Sequence, residues 1–483
     1  MKNKNKFNLI LIAVIFIAIA GVILSRPLSN LDEVWNFNFA RNIANNMLPY
    51  KDFNMIQTPL LPMISGIFLK IFGTEMIVTR FLGIILSAAI LFTVYKILEL
   101  LKINKYAAIL SIIGVYVLLF NYFGLDYNFA TLLVVLIVLY NEIKHVDKFN
   151  FWNGVLIGLT ILLKQNTGLV LSFVFIFYKF LMFPIKKETF KIILTRALGV
   201  FVPVAILALY LTINNIWKDF FDYAIYGLKT FTNYIPYTSL LKGNIAVIIL
   251  SILVPISFLY MIYRYIKTRD KTIYILLAYS AAAFIIAFPI SDGMHFTIGS
   301  IPAIIAIIYI IWDKIKDNKY LYSAKKFIKI IVDLTVIGII AARLILIVIY
   351  INNIYEKPSL NHFRYIETTM VSKARDIENY ILNQEQNGKK VYILDSTAAL
   401  YMIPIDKYNK NYDMFNKGNL GAGGEEGQIQ NLEKEKNCIV LILNDNHGRN
   451  WQNPELVREY IINNWTKIGE LNQFDIYENN VGM

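Results

Sequence analysis

The sequence has little of what soluble enzymes and metal sites are built from. It holds one cysteine, Cys438, in 483 residues. A disulfide within the chain and a cysteine-ligated metal site are therefore excluded. Cys438 itself reads as a small hydrophobe in a strand. Charge is also scarce: Asp, Glu, Lys and Arg make up 17% of the chain against 57% hydrophobic residues. With a mean hydropathy of +0.51, this is not an ordinary soluble domain. No G-x-G-x-x-G follows a strand. "GNLGAGGEEG" (Gly418–Gly427) lacks that spacing and reads as a flexible loop rather than a nucleotide site. No internal repeat is evident.

The net charge of +13 does not mark a nucleic-acid binder. Residues 352–483 carry 14 Lys+Arg and 18 Asp+Glu, and the rest of the chain carries 33 and 16. The excess lies in the apolar part, where it acts as a topology signal rather than a basic patch. No nucleic-acid partner is expected.

What the chain does have is apolar runs of a length that crosses a bilayer core of about 30 Å. Eleven spans are expected, at about 7–25, 77–95, 106–121, 128–141, 151–163, 168–183, 192–213, 244–262, 273–289, 296–312 and 328–351. The first could instead be a signal peptide. Its apolar core is long for that, and Arg26-Pro27 stands where a small-residue cleavage site would be. With the N-terminus inside, the inner segments hold 21 Lys+Arg and the longer outer ones 9, as the positive-inside rule requires. An odd number of spans then puts the C-terminal region outside the cell membrane.

Residues 352–483 change character. "KKVYILDS" and "NCIVLILND" read as buried strands, and Thr369–Gln386 and Pro454–Trp465 as helices, the second with proline at its first position. The expected architecture is an α-helical polytopic membrane protein, residues 1–351, with a small extracytoplasmic α/β domain, residues 352–483. Asp445 and His447 in "NDNHGRN" are either a polar loop after a strand or a substrate contact.

The polar residues of the predicted outer face are unusual for connecting loops. In "LDEVWNFNFARNIANNMLPYKDFNMIQTPL" (Leu31–Leu60), Trp35, Phe39, Ile43 and Met47 recur every four residues. This is the pattern of a helix lying flat, half in the headgroups, with Arg41 and several Asn on its other faces. A second short helix is expected from about Pro59 to Gly73. Asp32 and Glu33 open the first helix. They either cap it and favour its dipole or serve chemistry, because acids at the membrane boundary are costly unless solvated or used. Asp126 in "YFGLDYNF" has the same two readings, since its loop has no basic residue. Two acids from separate outer turns could meet, either to take a proton from a hydroxyl or to hold a divalent cation. Lys164 in "ILLKQNTGL" is either a snorkelling lysine at a tight turn or a cation for an anionic headgroup. His295 opens the tenth span as a structural hydrogen-bonded residue or a site residue. The aromatic-rich loop 214–243 adds Lys218, Lys229 and Lys242. Its rings suit either an interface belt or contact with a sugar or an isoprenoid tail.

On these residues the sequence resembles the C-type glycosyltransferases, the broad family of protein O-mannosyltransferases and the lipid A aminoarabinose transferase. The similar features are an acidic pair opening the first outer loop, an aromatic helix, a Tyr-x-Asp at Tyr50–Asp52, and a Pro-Leu before a second juxtamembrane helix. Asp126 falls where the family has its second acid. Lys164 and "HFTIGSIPAI" resemble a family lysine and an aromatic-rich segment. The resemblance covers roughly residues 7–310 in order, and its specific part is mostly 31–62. Many relatives have Lys-Pro-Pro-Leu where this chain has Gln57-Thr58-Pro59-Leu60. Gln brings no charge, so a lipid phosphate would rely on Lys164, a lysine of the 214–243 loop, Arg26, Arg41 or a metal.

The resemblance implies an inverting transferase on the outer face. It would move a sugar from a polyprenyl-phosphate carrier to a lipid, glycan or protein acceptor among the membrane lipids. Asp32, Glu33 and Asp126 would be catalytic, with Asp32 as base. Gln57, Lys164, His295, Arg41 and Asp52 would bind substrate. A divalent metal, if used, would sit on Asp32 and Asp126. Two other readings compete: a polar-lipid flippase, which would need charges or broken helices near the midplane, and a non-catalytic envelope scaffold.

Overall fold

The computed structural model describes the chain except residues 1, 29–30, 146–147, 182–186, 231–233, 318, 357–358, 367–370, 411, 413–414, 445–453 and 480–483. Asp445 and His447 therefore lie outside the described residues.

The protein is a polytopic helical membrane protein with a small C-terminal sheet. Among the described residues, seven helices are long and apolar enough to cross a membrane. They are α1 (Lys2–Ile23), α4 (Met76–Leu100), α6 (Tyr127–Lys144), α9 (Lys187–Ile213), α10 (Ile245–Thr268), α12 (Gly293–Ile315) and α13 (Lys319–Glu356). Four shorter apolar helices fall on the remaining expected spans: α5 (Lys105–Leu119), α7 (Asn150–Leu163), α8 (Gln165–Phe177) and α11 (Lys271–Phe284). Each of the eleven expected runs thus corresponds to one helix. The sixth departs in detail: it stops at Phe177 and continues as a 3-10 turn to Leu181.

The chain separates into two compact units. The first comprises Met1–Ser25, Arg80–Ala208 and Tyr234–Ile351. It holds most of the spans around a core that includes Ile84, Leu98, Leu132, Leu139, Leu276 and Ile298. Helices α7 and α8 form a hairpin joined by one extended residue, Lys164 (φ −151°, ψ 102°). Gly168 makes this tight return possible, since a Cβ there would lie 2.3 Å from the backbone nitrogen of Ile161.

The second unit comprises Arg26–Thr79, Leu209–Asn233 and Asn352–Met483. It contains helix α2 (Leu31–Ala44), helix α3 (Leu60–Phe72) and the C-terminal α/β layer. That layer has strands β1 (Lys390–Ile393), β2 (Cys438–Leu443), β3 (Thr466–Leu471) and β4 (Phe474–Glu478), in the order β1-β2-β4-β3. β1 and β2 are parallel, and β4 is antiparallel to both β2 and β3. Helices α14 (Val371–Gln386), α15 (Gly424–Lys434) and α16 (Glu455–Asn464) flank the sheet.

Alternation along the strands decides the two faces. Val391, Ile393, Ile439, Leu441, Phe474 and Ile476 pack with Ile377 and Ile381 of α14. Tyr392, Leu394, Val440, Ile442 and Tyr477 face Leu432, Val457 and Ile461 of α15 and α16. Cys438 is buried on this second face.

Three expectations are corrected. Helix α2 does not lie half in headgroups. Phe37 and Ala40 are fully buried in the cluster that contains the first face of the sheet, and Asn38, Arg41 and Asn42 are buried as well. It is α3 that keeps a bare apolar stripe, through Ile64, Ile67, Ile71 and Phe72. Pro59 precedes α3 and Gly73, at φ +100°, closes it. Secondly, "GAGGEEG" is not wholly a loop, because Gly424 begins α15 with Glu425 and Glu426 in the first turn, where the helix dipole favours acids. Thirdly, Pro454 is the cap residue of α16 rather than its first helical residue.

Candidate functional site

In the first unit, polar residues gather where α6, the α7–α8 turn and α12 end on the predicted outer side. Asp126 is 5% exposed and caps α6. Its Oδ1 accepts from the backbone N–H of Asn128 at 2.7 Å and of Phe129 at 3.3 Å. Burial raises its carboxyl above the usual carboxylate value. The charges of His295 and Lys164 and the two amides oppose that rise. Lys164 and His295 thus lie near Asp126, so three residues singled out in the sequence share one electrostatic neighbourhood. Lys164 Nζ donates to Asn128 Oδ1 at 2.9 Å and lies 5.3 Å from the Tyr127 ring centre. Asp292 caps α12 by accepting from His295 N–H at 2.8 Å, and its Oδ1 lies 3.0 Å from His295 Nδ1.

The sequence reading missed two members of this cluster, Asn128 and Asp292. Asn128 is fully buried, and among the described residues its side-chain amide nitrogen has no hydrogen-bond acceptor. A signal did exist in each case. Asn128 opens a predicted span two residues after Asp126, and Asp292 lies three residues before His295, ahead of the span at 296–312, where capping polar groups belong.

In the second unit, α2 starts at Leu31, so Asp32 and Glu33 lie inside its first turn rather than at its cap. There both carboxylates face the positive end of the helix dipole. Three residues on, Trp35 Nε1 donates to the carbonyl of Ser396 at 2.9 Å. Gln57 is half-buried. Its backbone carbonyl accepts from the Tyr50 hydroxyl at 2.7 Å, while its side-chain oxygen is buried without a donor. Arg41 and Asp52 hold the unit together. Asp52 accepts from Leu48 N–H at 2.7 Å. Arg41 is fully buried, with Nη2 2.8 Å from Asp406 Oδ1 and its guanidinium 4.7 Å from the Tyr408 ring centre. Asp406 also meets His362 Nε2 at 2.9 Å. Partial burial pushes the Asp406 carboxyl up, but the bonds from Arg41 and His362 outweigh it and hold the group below the usual range.

Asp32 and Asp126, the expected metal pair, belong to different units. Among the described residues, no group of three or more His, Cys, Asp or Glu side chains is placed to hold a metal ion. Asp126 Oδ1 is already taken by two amides.

No protein-family model matches the chain, and no curated protein sequence matches it. Solved structures do. ArnT from Cupriavidus metallidurans bound to undecaprenyl phosphate aligns over 99% of this chain and 98% of its own, with a TM-score of 0.59 and 12% identity. Archaeal oligosaccharyltransferase AglB from Archaeoglobus fulgidus, in complex with an inhibitory peptide and a dolichol-phosphate, aligns over 91% of this chain and 70% of its own. Its TM-score is 0.53 at 13% identity. A further structure of the Archaeoglobus fulgidus oligosaccharyltransferase, a complex with Zn and sulfate, gives 0.50 at 11% identity over 90% and 68%. The chain therefore shares the fold of these solved structures, as the resemblance of residues 7–310 to the C-type glycosyltransferases implied.

Proposed function

We propose that the protein is an integral-membrane inverting glycosyltransferase. It would move a sugar from a polyprenyl-phosphate carrier to an envelope acceptor on the outer face. The observation that carries this reading is the cluster of Asp126, Lys164 and His295 at the ends of three helix elements, in a fold whose solved examples hold undecaprenyl phosphate and dolichol-phosphate. Outside the cell, where nucleotide sugars are not supplied, a lipid carrier is the reasonable donor.

In this mechanism Asp32 takes the proton of the acceptor hydroxyl as its oxygen attacks the anomeric carbon. The bond from that carbon to the phosphate oxygen breaks, its electron pair leaves with the lipid phosphate, and the anomeric configuration inverts. Lys164 stabilises the departing phosphate by charge. His295 and Asp126 hold the surrounding polar groups, while Glu33 and Gln57 orient the acceptor.

Purified protein incubated with labelled polyprenyl-phosphate sugars, with and without chelator, tests the reading. Transfer with release of polyprenyl phosphate is expected. The Asp32→Asn variant should insert normally and lose about 10²–10⁴-fold in rate, the usual contribution of a general base. Full activity in Asp32→Asn would remove Asp32 from this role. A deletion strain that keeps every envelope sugar but accumulates an untranslocated lipid intermediate would turn the function to transport.

A further inference from the structure

Away from that cluster, helices α1, α4, α5 and α13 leave a shallow apolar groove. Its walls include Leu11, Ile15 and Ala18 of α1, Ile112 and Tyr116 of α5, and Ile339 of α13. The α13 wall is the least packed of the spans. Leu334, Ile337, Leu344 and Ile345 are all exposed, so in a bilayer the groove opens to hydrocarbon.

At the Tyr116 end stands Arg343 of α13. Its Nε donates to the Tyr116 hydroxyl at 2.9 Å, and that hydroxyl donates to the carbonyl of Ala18 at 3.3 Å. The guanidinium lies 4.7 Å from the Phe120 ring centre. Helix α1 passes so close that a Cβ at Gly21 would sit 2.6 Å from Arg343 Cβ, which fixes the arginine stem against α1, beside Tyr116 of the groove wall. Among the described residues, no carboxylate forms an ion pair with Arg343. A charge on a lipid-facing helix is costly and marks a function by default. A guanidinium anchored through Nε offers its remaining N–H groups to a planar or tetrahedral anion in bidentate fashion.

We propose that this groove seats one acyl chain of an anionic bilayer phospholipid, with its phosphate on Arg343. The charge at the groove end and the aliphatic walls below it match those two parts of one molecule. The sugar carrier is the weaker occupant. The groups assigned to sugar transfer are borne by α2, the α2–α3 connection, the cap of α6, the α7–α8 turn and α12, none of which lines this groove.

The test is native mass spectrometry of the purified full chain after partial delipidation, with phosphatidylglycerol or phosphatidylcholine added back. Wild type should retain phosphatidylglycerol several-fold over phosphatidylcholine. Arg343→Gln should abolish that preference, Arg343→Lys should keep part of it, and Ile339→Trp, which fills the groove, should lose both lipids. Wild-type retention of both headgroups alike would overturn the proposal, even if Arg343→Gln proved too unstable to purify. So would undiminished phosphatidylglycerol retention by Arg343→Gln or by Ile339→Trp. Retention of added polyprenyl phosphate in place of phosphatidylglycerol would assign the groove to the carrier instead. None of these readouts depends on sugar transfer, so the groove and the catalytic reading stand or fall separately.

Discussion

The indole N–H of Trp35 is bonded at 2.9 Å to the carbonyl of Ser396, 361 residues later in the chain. Trp35 lies one helical turn after the acidic pair. Ser396 belongs to a loop held by Asp395, which accepts from the backbone N–H of Thr397 at 2.8 Å. The C-terminal layer thus fixes the start of the helix that carries the proposed base. Trp35→Phe keeps an aromatic ring and removes the donor. It should lower stability by about 0.5–1.5 kcal/mol, the net worth of one hydrogen bond, and reduce transfer with little change in donor KM. Thermal unfolding in detergent and steady-state kinetics check this. Unchanged stability would mean that the bond does not hold the helix.

Asp126 separates stability from chemistry. Its carboxyl is raised by burial, so the folded state favours the protonated form. The stability this contributes is fully present below the usual carboxylate value of about 4 and is lost as pH rises through the raised folded value. Asn caps a helix about as well as Asp and cannot ionise. Asp126→Asn should therefore unfold no earlier than wild type at pH 7, and any gain should fade at about pH 4. Sugar transfer should fall sharply at the same time. Unfolding curves at both pH values, with activity at pH 7, give the comparison. Normal transfer with raised stability would leave Asp126 only its capping role.

The spans were legible because long apolar runs declare themselves without any partner. The surroundings of α2 were not. Its amphipathic pattern is the same whether the apolar side meets lipid or protein, and its covering partners, such as Phe363 and Asp406, lie more than 300 residues away. Lys164 and His295 stood out as polar interruptions in apolar sequence, yet nothing local revealed that both lie near Asp126. The β3–β4 hairpin was missed for another reason. β3 is an edge strand with mostly exposed residues, and "TKIGEL" lacks the apolar run that betrayed β1 and β2. Arg196 and Lys179 were hidden inside predicted spans, where single charges read as interruptions rather than as a network.

Asp406 should show a simple acid dependence. Its carboxyl is held below the usual range by Arg41 and His362 despite the opposing effect of burial. Its stabilisation is thus present above about pH 4 and is lost as pH falls through the lower folded value. Asp406 sits at φ +55°, a conformation that Asn tolerates, so Asp406→Asn changes the charge without backbone strain. Arg41 is fully buried, but the Asp406 side chain is 59% exposed and solvent screens the pair, so loss of the charge should destabilise the second unit by about 1 kcal/mol or less at pH 7. The difference from wild type should narrow as the pH is brought below about 4. A gap that stays constant across this range would show that charge pairing at Asp406 contributes nothing.

Glu142, Arg196 and Lys179 form a buried ionic network in the first unit, and their side chains are 2%, 0% and 1% exposed. Arg196 Nη2 lies 2.7 Å from Glu142 Oε1, and Lys179 Nζ lies 3.6 Å from Oε2. Asn153 also donates to Oε1 at 3.2 Å, and Tyr178 donates to the same carboxylate. Arg196 is further held by Asn150 Oδ1 at 2.8 Å and the Phe175 carbonyl at 2.7 Å. Glu142 is two residues from the end of α6 and Asn150 is the first residue of α7. The network therefore ties the end of α6 and the start of α7 to Arg196, the tenth residue of α9. Glu142→Gln would leave two buried cations without a carboxylate. Removing one partner of a buried pair costs about 3–5 kcal/mol, so the variant should unfold well below wild type. Adding Lys179→Met should recover part of that loss, because one uncompensated charge disappears while the other polar bonds remain. At a temperature where the single variant stays folded, its sugar transfer should match wild type. Unfolding indistinguishable from wild type, or no recovery in the double variant, would show that these charges are compensated by something other than one another.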